Sequence, residues 1–277
     1  MTGITTKTTP ALVPEERVNE VLILPIEQGL AGRISTIHRT MDNAVHFPKV
    51  SEDPAASWVE EGEEIAPSAP TIGEIVVTPA KVAGLTVISR EMIEDSDSPV
   101  SQIVGQALVR DIGAKIDAAY FGSVDAPAPD GLETITPTEV SAGSAWANLD
   151  PFAEAVSTAT QRGATITTFV ANPADALALA TLKKQKTSNE PLLAADPTQP
   201  ARSMLNGVPL ETSKYVTPGT VWGIPRDRVY MVIGREATID VSDAPFFTSD
   251  RIAVRATMRA GFGFIDEASI VRIKLAG

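Results

Sequence analysis

The most constraining feature of this 277-residue sequence is an acidic stretch from residue 51 to residue 75. It contains seven acids and no base, and three prolines and two glycines interrupt it. A segment this polar cannot form a core of its own, so it is either disordered or a projecting loop that something else orders. Strand-like residues flank it, at His46-Phe47 and from Glu74 to Thr78, and they predict a long two-stranded hairpin. Because an isolated hairpin is only marginally stable, we expect this one to need a partner surface.

A long helix is the next prediction. Ser98 can cap it, Pro99 can start it, apolar residues then recur at three- and four-residue spacing as far as Phe121, and Gly122 ends it. From Pro99 to Phe121 this gives a rod of roughly 34 Å, at about 1.5 Å per residue. A shorter helix is predicted near the start, at Pro14-Glu15-Glu16.

The middle of the chain alternates helix and strand signals and predicts a separate α/β lobe. Asp150 is expected to cap a helix that runs to Gly163, and a β-branched strand follows from Thr165 to Ala171. Asn172-Pro173 then opens a second helix, predicted to end in Lys183, Lys184 and Lys186. The C-terminal part is predicted to be β, with strands at 229–233, 238–241, 252–258 and 270–275.

Composition excludes several classes of function. With 23 Lys and Arg against 35 Asp and Glu, the net charge of −12 opposes any role that wraps a polyanion by bulk charge. The absence of cysteine excludes disulfide scaffolds, Cys-ligated zinc and thiol nucleophiles. No apolar run is long enough to span a membrane, and Met1 to Thr9 lacks the features of a secretory signal, so we expect synthesis in the cytoplasm.

The search for a catalytic or metal site finds none that fits. The Glu60-Glu61-x-Glu63-Glu64 cluster could bind a cation, but a solvated acidic loop explains it better. Asp95-x-Asp97 lacks the later positions of a calcium loop, and Gly261-x-Gly263 indicates a sheet bend or close backbone packing. The two histidines, His38 and His46, have no nearby ligand pattern, and no nucleophile elbow or phosphate-binding loop is present. The expectation is an assembling structural protein, not an enzyme, with no cofactor and no metal.

Several stretches, in order, resemble the major capsid proteins of tailed bacteriophages, which share the Hong Kong 97-type shell fold. The most specific are Trp58-Val59-Glu60-Glu61-Gly62 with Ile65 and Pro70, Thr78 to Gly84, and Val87 to Ser96. Further matches are Ile116 to Gly122, Asn172-Pro173 with Leu182-Lys183, Leu205 to Leu210, and Ile252 to Phe262 with Ala268. Together they cover about residues 20 to 275.

The resemblance implies an α+β fold with four parts. Residues 1–30 would be an N-terminal arm and residues 48–79 an extended β-hairpin loop. Residues 31–47, 80–146 and 236–277 would form a peripheral domain, with residues 99–121 as its spine helix. Residues 147–235 would be an axial α/β domain, of the kind that gathers around five-fold and six-fold axes.

The implied function is a virion shell around double-stranded DNA, bound without sequence specificity. The shell would assemble from pentamers and hexamers in the host bacterial cytoplasm, without a membrane. Portal and decoration proteins would be partners, and because the arm is short, a separate scaffold protein is expected. The alternatives are an encapsulin-like nanocompartment shell and, from another class, an α/β hydrolytic or ligand-binding enzyme.

Two residue-level expectations follow from the resemblance. Some relatives weld their shells by joining a loop lysine to an asparagine with a glutamate assisting, but residues 50–80 here contain no lysine. We assign Asp250 to the position of the asparagine and Thr257 to the position of the glutamate. With all three residue types replaced, no covalent cross-links are expected.

Charge predicts a joint between subunits. Residues 251–277 carry five bases and two acids, a net +3, opposite in sign to the loop. We expect the loop of one subunit to lie across these strands in a neighbour, with two apolar anchors between charge pairs. The interface residues expected are Trp58, Glu60, Glu61, Glu63, Glu64, Ile65, Arg251, Arg255 and Arg259.

Overall fold

A computed structural model describes residues 22–52, 54–64, 67–91, 100–185, 190, 192–193, 203–234 and 237–276. Its helices are α1 (Leu24–Glu27), α2 (Leu30–Ile34), α3 (Val100–Phe121), α4 (Asp150–Gln161) and α5 (Pro173–Ala180). The helix predicted at Pro14, the cap predicted at Ser98 and Ile65 all lie outside the described residues.

The strands form two large sheets and a separate two-stranded ribbon. The first sheet contains β1 (Thr36–Thr40), β4 (Ala80–Ser89), β10 (Val229–Gly234), β11 (Thr238–Ser242) and β12 (Arg251–Phe264). The second contains β5 (Thr138–Ser141), β6 (Thr168–Ala171), β7 (Met204–Leu205), β8 (Val208–Thr212), β9 (Thr220–Ile224) and β13 (Val271–Lys274). The ribbon pairs β2 (Val45–Glu52) antiparallel with β3 (Thr71–Val77).

The first sheet is organised around its longest strand. β12 pairs antiparallel with β10 and β11 along one edge and with β4 along the other. The long helix α3 packs on one face of this sheet, where Gly84 leaves space for it, since a Cβ at Gly84 would lie 2.3 Å from Leu108 Cδ1. Buried residues of α3, including Ile112, Ile116 and Tyr120, join those of β10 and β12 in one core.

The second sheet and two helices form the α/β lobe. Its core lies between α4 and the sheet, and Phe152 and Phe169 meet edge-to-face there with ring centroids 5.3 Å apart. The Asn172 side chain caps α5 by accepting a hydrogen bond from the Ala174 N–H at 3.1 Å, as expected from the sequence.

The α+β class predicted from the sequence is confirmed, and α3 was predicted to within one residue at its start. Two helix ends differ. Asp150 is the first residue of α4 and not its cap, because Asn148 Oδ1 accepts the Asp150 N–H instead. α5 stops at Ala180, before the lysines, where Thr181 Oγ1 donates to the Ala178 carbonyl oxygen.

Strand pairing crosses the expected domain boundaries. β10 falls within the range expected for the axial domain but pairs with β1 and β12 of the first sheet. β5 and β13 fall within the range expected for the peripheral domain but pair into the lobe sheet. The chain crosses between the sheets through short 3-10 turns at Arg226–Arg228 and Glu267–Ser269, so neither sheet is a continuous segment. The four-part division itself stays a prediction.

Candidate assembly surface

The hairpin of β2 and β3 is fixed to its own subunit at its root. Phe47 and Val77 are buried there against Val232 of β10. The Phe47 ring also lies 4.6 Å from the Tyr230 ring and 5.4 Å from the His38 ring, measured between centroids. This small cluster holds the base of the hairpin and leaves the rest to project.

Two glycines of β12 make the root possible. A Cβ at Gly261 would lie 3.0 Å from Val77 Cγ1, and a Cβ at Gly263 would lie 2.8 Å from Val77 Cγ2. Both distances are too short for ordinary packing, so the hairpin rests directly on glycine backbone. Of the two meanings that the Gly261-x-Gly263 pattern left open, close backbone packing is the one found.

The hairpin exposes apolar residues on its other face. The register places Val50 opposite Ile72 and His46 opposite Val76, on the face that turns away from the root cluster. Val50, Ile72 and Val76 are 54%, 66% and 49% exposed. The same face carries His46 and Glu74, whose Nδ1 and Oε2 atoms lie 3.2 Å apart, so exposed apolar and polar side chains are mixed on it. Exposed apolar side chains in such number make this face a candidate contact site.

The hairpin tip carries the most exposed large side chain described. Trp58 is 106% exposed, in a run from residue 54 to residue 60 that belongs to no described helix or strand. Glu60, Glu61, Glu63 and Glu64 are all exposed, and no ion pair of theirs occurs among the described residues. Within the part of the chain that the structure describes, the acidic tip and its tryptophan are therefore exposed to solvent.

The predicted basic residues lie on the face of the first sheet opposite α3. Arg251, Arg255 and Arg259 stand at every fourth position of β12, so all three lie on the same face of the sheet. Arg255 donates to Asp240 Oδ2 of β11 at 2.8 Å, and Arg259 donates to Asn43 Oδ1 at 2.9 Å. Two of the three guanidinium groups are thus partly engaged inside the subunit, which simple charge counting along the chain did not anticipate.

An apolar row beside these arginines was missed from the sequence. The β12–β4 register sets Arg259, Arg255 and Ala253 opposite Lys81, Leu85 and Val87, so both sets face the same way. Leu85 is 63% and Val87 37% exposed, and Ala83 between Lys81 and Leu85 is exposed as well. The stretch from Lys81 to Ile88 has apolar residues on both faces of the strand, and this second apolar set, at Ala83, Leu85 and Val87, is the signal that could have found the row.

The positions expected to replace the cross-linking residues have local partners. Asp250 has a left-handed backbone conformation at φ 46° and ψ 54°, and its carboxylate lies 3.1 Å from Arg90 Nε. The Thr257 hydroxyl hydrogen-bonds to that of Thr238 at 2.8 Å.

Two cavities of the described residues border α3. One of about 460 Å³ lies between the end of α3, the start of β4 and residues 124–129, and its lining is mainly alanine, valine, isoleucine, proline and phenylalanine. Lys81, Lys115 and Asp125 are its only charged residues. Across the part of the chain that the structure describes, no three metal-ligating acids, histidines or cysteines come together, and no helix is long and apolar enough to cross a membrane.

The strongly perturbed ionisable groups serve packing. Burial raises the pKa of Tyr120 well above its usual value, and its phenol oxygen accepts a hydrogen bond from Ser35 Oγ at 3.0 Å. Burial also raises the pKa of Asp117, whose carboxylate accepts the Ala31 N–H at 3.1 Å and so joins α2 to α3. Asp117 also lines a cavity of about 340 Å³ with Arg110, Lys214 and Tyr215.

Comparisons with known proteins agree on one family. The model of the phage capsid family matches residues 10–275. No curated protein matches the chain significantly.

Solved structures resemble this chain over its whole length. The capsid of an empty GTA particle, computed with C5 symmetry, is 15% identical over 100% of this chain and 96% of its own, with a TM-score of 0.71. Chains from Mycobacterium phage Bobi and Microbacterium phage Oxtober96 are 16% and 14% identical over 100% of this chain, and cover 95% and 96% of their own lengths. Both have TM-scores of 0.72. At such low identities these matches show a shared fold.

Proposed function

This chain belongs to the phage capsid family, and we propose that it is the major capsid protein of a tailed phage. It assembles as pentamers and hexamers into an icosahedral shell around double-stranded DNA, with a scaffold protein and a portal as partners. The observation that carries the proposal is the projecting hairpin, which ends in a fully exposed tryptophan and buries apolar residues only at its root. An isolated subunit obtains few stabilising contacts from such a projection, whereas in a shell every subunit has a neighbour that the hairpin can contact.

The proposed joint places the hairpin of one subunit on the arginine-bearing sheet face of the next. The acids Glu60, Glu61, Glu63 and Glu64 would meet Arg251, Arg255 and Arg259, and Trp58 and Ile65 would be the apolar anchors. Because exposed ion pairs contribute only about 0–1 kcal/mol each, the anchors would carry most of the affinity and the charges most of the orientation.

Electron microscopy of the purified protein, expressed with and without candidate scaffold partners, tests the proposal. We expect closed icosahedral particles. Double-stranded DNA inside particles from infected cells supports a phage capsid, and protein cargo in its place would indicate a nanocompartment. Particles boiled in denaturant should migrate only as monomer, and a ladder would contradict the absence of cross-links. A monomer under every condition would overturn the proposed function.

Charge reversal tests the joint. Arg255→Glu with Arg259→Glu should leave the subunit folded and prevent assembly. A matched control exchanges Arg255 and Asp240, as Arg255→Asp with Asp240→Arg, which restores the ion pair within the subunit but moves the positive charge to β11. If Arg255 serves only its own subunit, the exchange variant should assemble normally; failure to assemble supports a contact with the neighbour.

A further inference from the structure

Asp117 of α3 is a half-buried acid without an ion pair among the described residues. Its Oδ1 atom accepts the Ala31 N–H of α2 at 3.1 Å. Arg33 of α2 directs its guanidinium to Glu211 of β8 instead, in a two-pronged ion pair with 3.2 Å to each carboxylate oxygen. A carboxylate that is partly removed from water without a counter-ion is costly to keep charged. The fold therefore holds Asp117 at an energetic cost whenever this side chain is ionised.

The cavity beside Asp117 gives protons access to this carboxyl group. It has a volume of about 340 Å³ and lies between α1, α3 and residues 214–215. Arg110 and Lys214, which also line it, are exposed to solvent, so a proton reaches Asp117 without unfolding of the subunit. From α1 only the uncharged Pro25 and Ile26 line the cavity. The charged and titratable groups around Asp117 are Arg33 of α2, Arg110 and Tyr120 of α3, and Lys214 and Tyr215 after β8.

Burial decides which protonation state of Asp117 suits this site. It raises the pKa of Asp117 above the ordinary value of 3.8, although the Ala31 hydrogen bond and the charge of Arg33 act in the opposite direction. A raised folded-state pKa means that stability from this group is complete below pH 3.8 and is lost as the pH rises through the higher value. The protonated carboxyl keeps an oxygen that accepts the Ala31 N–H, and the cost of a buried charge disappears.

The segment that Asp117 holds depends on tertiary contacts. α2 has five residues, far fewer than a helix needs to be stable by itself. It packs directly on the backbone of α1, since a Cβ at Gly32 would lie 2.2 Å from the Glu27 carbonyl oxygen, so residues 24–34 form one unit. The same unit carries Arg33, which ties it to Glu211 of the lobe. Asp117 therefore acts where α3, α2 and the lobe are joined.

We propose that Asp117 is a pH-sensitive switch in the joint between α3 and residues 24–34, and that it holds this segment most firmly when it carries a proton. As the carboxyl group ionises, α2 is held less firmly against α3. The switch belongs to the single subunit and does not depend on the proposed assembly into shells.

Amide hydrogen exchange on the free subunit tests the switch. The protection factor of the Ala31 amide, which corrects for the intrinsic effect of pH on exchange, should fall by at least about threefold as the pH rises from 3.8 to neutrality. Asp117→Asn keeps an oxygen for the Ala31 N–H and cannot ionise, so its protection factor should not fall. Asp111→Asn is the matched control, because it removes an acid from an exposed position of the same helix and should behave as the wild type.

A fall in the wild type and in Asp111→Asn, but not in Asp117→Asn, supports the switch. No fall in the wild type, an equal fall in Asp117→Asn, or loss of the fall in Asp111→Asn overturns it. If Asp117→Asn does not fold, NMR of the side-chain carboxyl carbons in the wild type decides. A titration midpoint of Asp117 above 3.8 that coincides with the loss of Ala31 protection supports the switch, and any other result overturns it.

Discussion

The hairpin and the α/β lobe use their apolar residues in opposite ways. In the lobe Phe152, Phe169 and Leu179 are fully buried in a core made by the same subunit. In the hairpin only Phe47 and Val77 are buried, at the root, while Trp58 at the tip is fully exposed. The lobe therefore obtains its stabilising contacts within the subunit, whereas under the proposed function the hairpin obtains them from another molecule.

The acidic residues of the lobe and of the hairpin differ in burial in the same way as the apolar ones. Asp175 of the lobe is buried and accepts hydrogen bonds from Trp146 Nε1 and from the Gly219 N–H, each at 2.8 Å. A buried carboxylate is stable only when its oxygens are bonded in this way. The hairpin acids from Glu60 to Glu64 are exposed to solvent. Asp175 therefore stabilises the fold of the lobe, whereas the hairpin acids are available to bind a partner.

The largest effect on the free subunit is expected from the lobe core. Phe169→Ala should lower the free energy of unfolding by about 3–5 kcal/mol, because it removes a fully buried ring and leaves a cavity against Phe152. Urea unfolding followed by tryptophan fluorescence would measure it. Leu177→Ala, on α5 of the same lobe and 66% exposed, should change stability by at most about 0.5 kcal/mol. Equal losses in the two variants would contradict a self-sufficient lobe.

The hairpin root should show an intermediate effect. Gly263→Ala places a Cβ 2.8 Å from Val77 and should cost about 1–3 kcal/mol through overpacking. Exchange of the amides around Phe47 and Val77 should accelerate more than exchange in the lobe. Gly113→Ala in α3 is the matched control, because its Cβ would meet open space and alanine favours helix, so it should stabilise by about 0.5–1 kcal/mol. Uniform acceleration in both regions would mean that the root is not a separate anchor.

Whether an element could be predicted from the sequence depends on how far apart along the chain its interacting residues lie. The long helix α3 and the Asn172 cap depend on neighbours a few residues away, and the hairpin strands pair residues no more than 32 positions apart; each was predicted. The pairing of β13 with β5 joins residues more than 130 positions apart, and nothing local specifies it.

The features of the assembly surface divide in the same way, into local ones that were predicted and long-range ones that were not. The exposed Trp58 and its acids were predicted from local composition, because a polar, proline-rich segment cannot be buried. The exposure of Leu85 depends on which face of β4 is covered by α3, and Arg255 meets Asp240 only through the register of two strands. A single sequence contains neither fact.

A smaller difference between the lobe and the hairpin is expected in how the stability of the protein depends on pH. A hydrogen bond from Arg272, across the β5–β13 pair, lowers the pKa of Glu139 from its ordinary 4.5. A lowered folded-state pKa means that this carboxylate stabilises the lobe above pH 4.5, and that the contribution is lost as the pH falls through the lower value. Glu139→Gln should therefore flatten the decline in stability as the pH falls below 4.5, measured by urea unfolding. Glu61→Gln, at the hairpin tip, is the matched control and should leave the slope unchanged; an equal flattening would remove the contrast.

The smallest effect on the free subunit, and the most informative, is expected at Trp58. Trp58→Ala removes a side chain that contacts nothing in its own subunit, so the free energy of unfolding should change by at most about 0.5 kcal/mol. The same change should abolish or strongly reduce assembly, measured by sedimentation of particles, because truncating an anchoring tryptophan at an interface costs about 2 kcal/mol or more at every repeated contact. Trp58→Phe keeps an aromatic ring and should restore part of the yield. Normal particles from Trp58→Ala would show that the hairpin tip is a solvent-facing loop, and the difference between hairpin and lobe would then be one of exposure without a role in assembly.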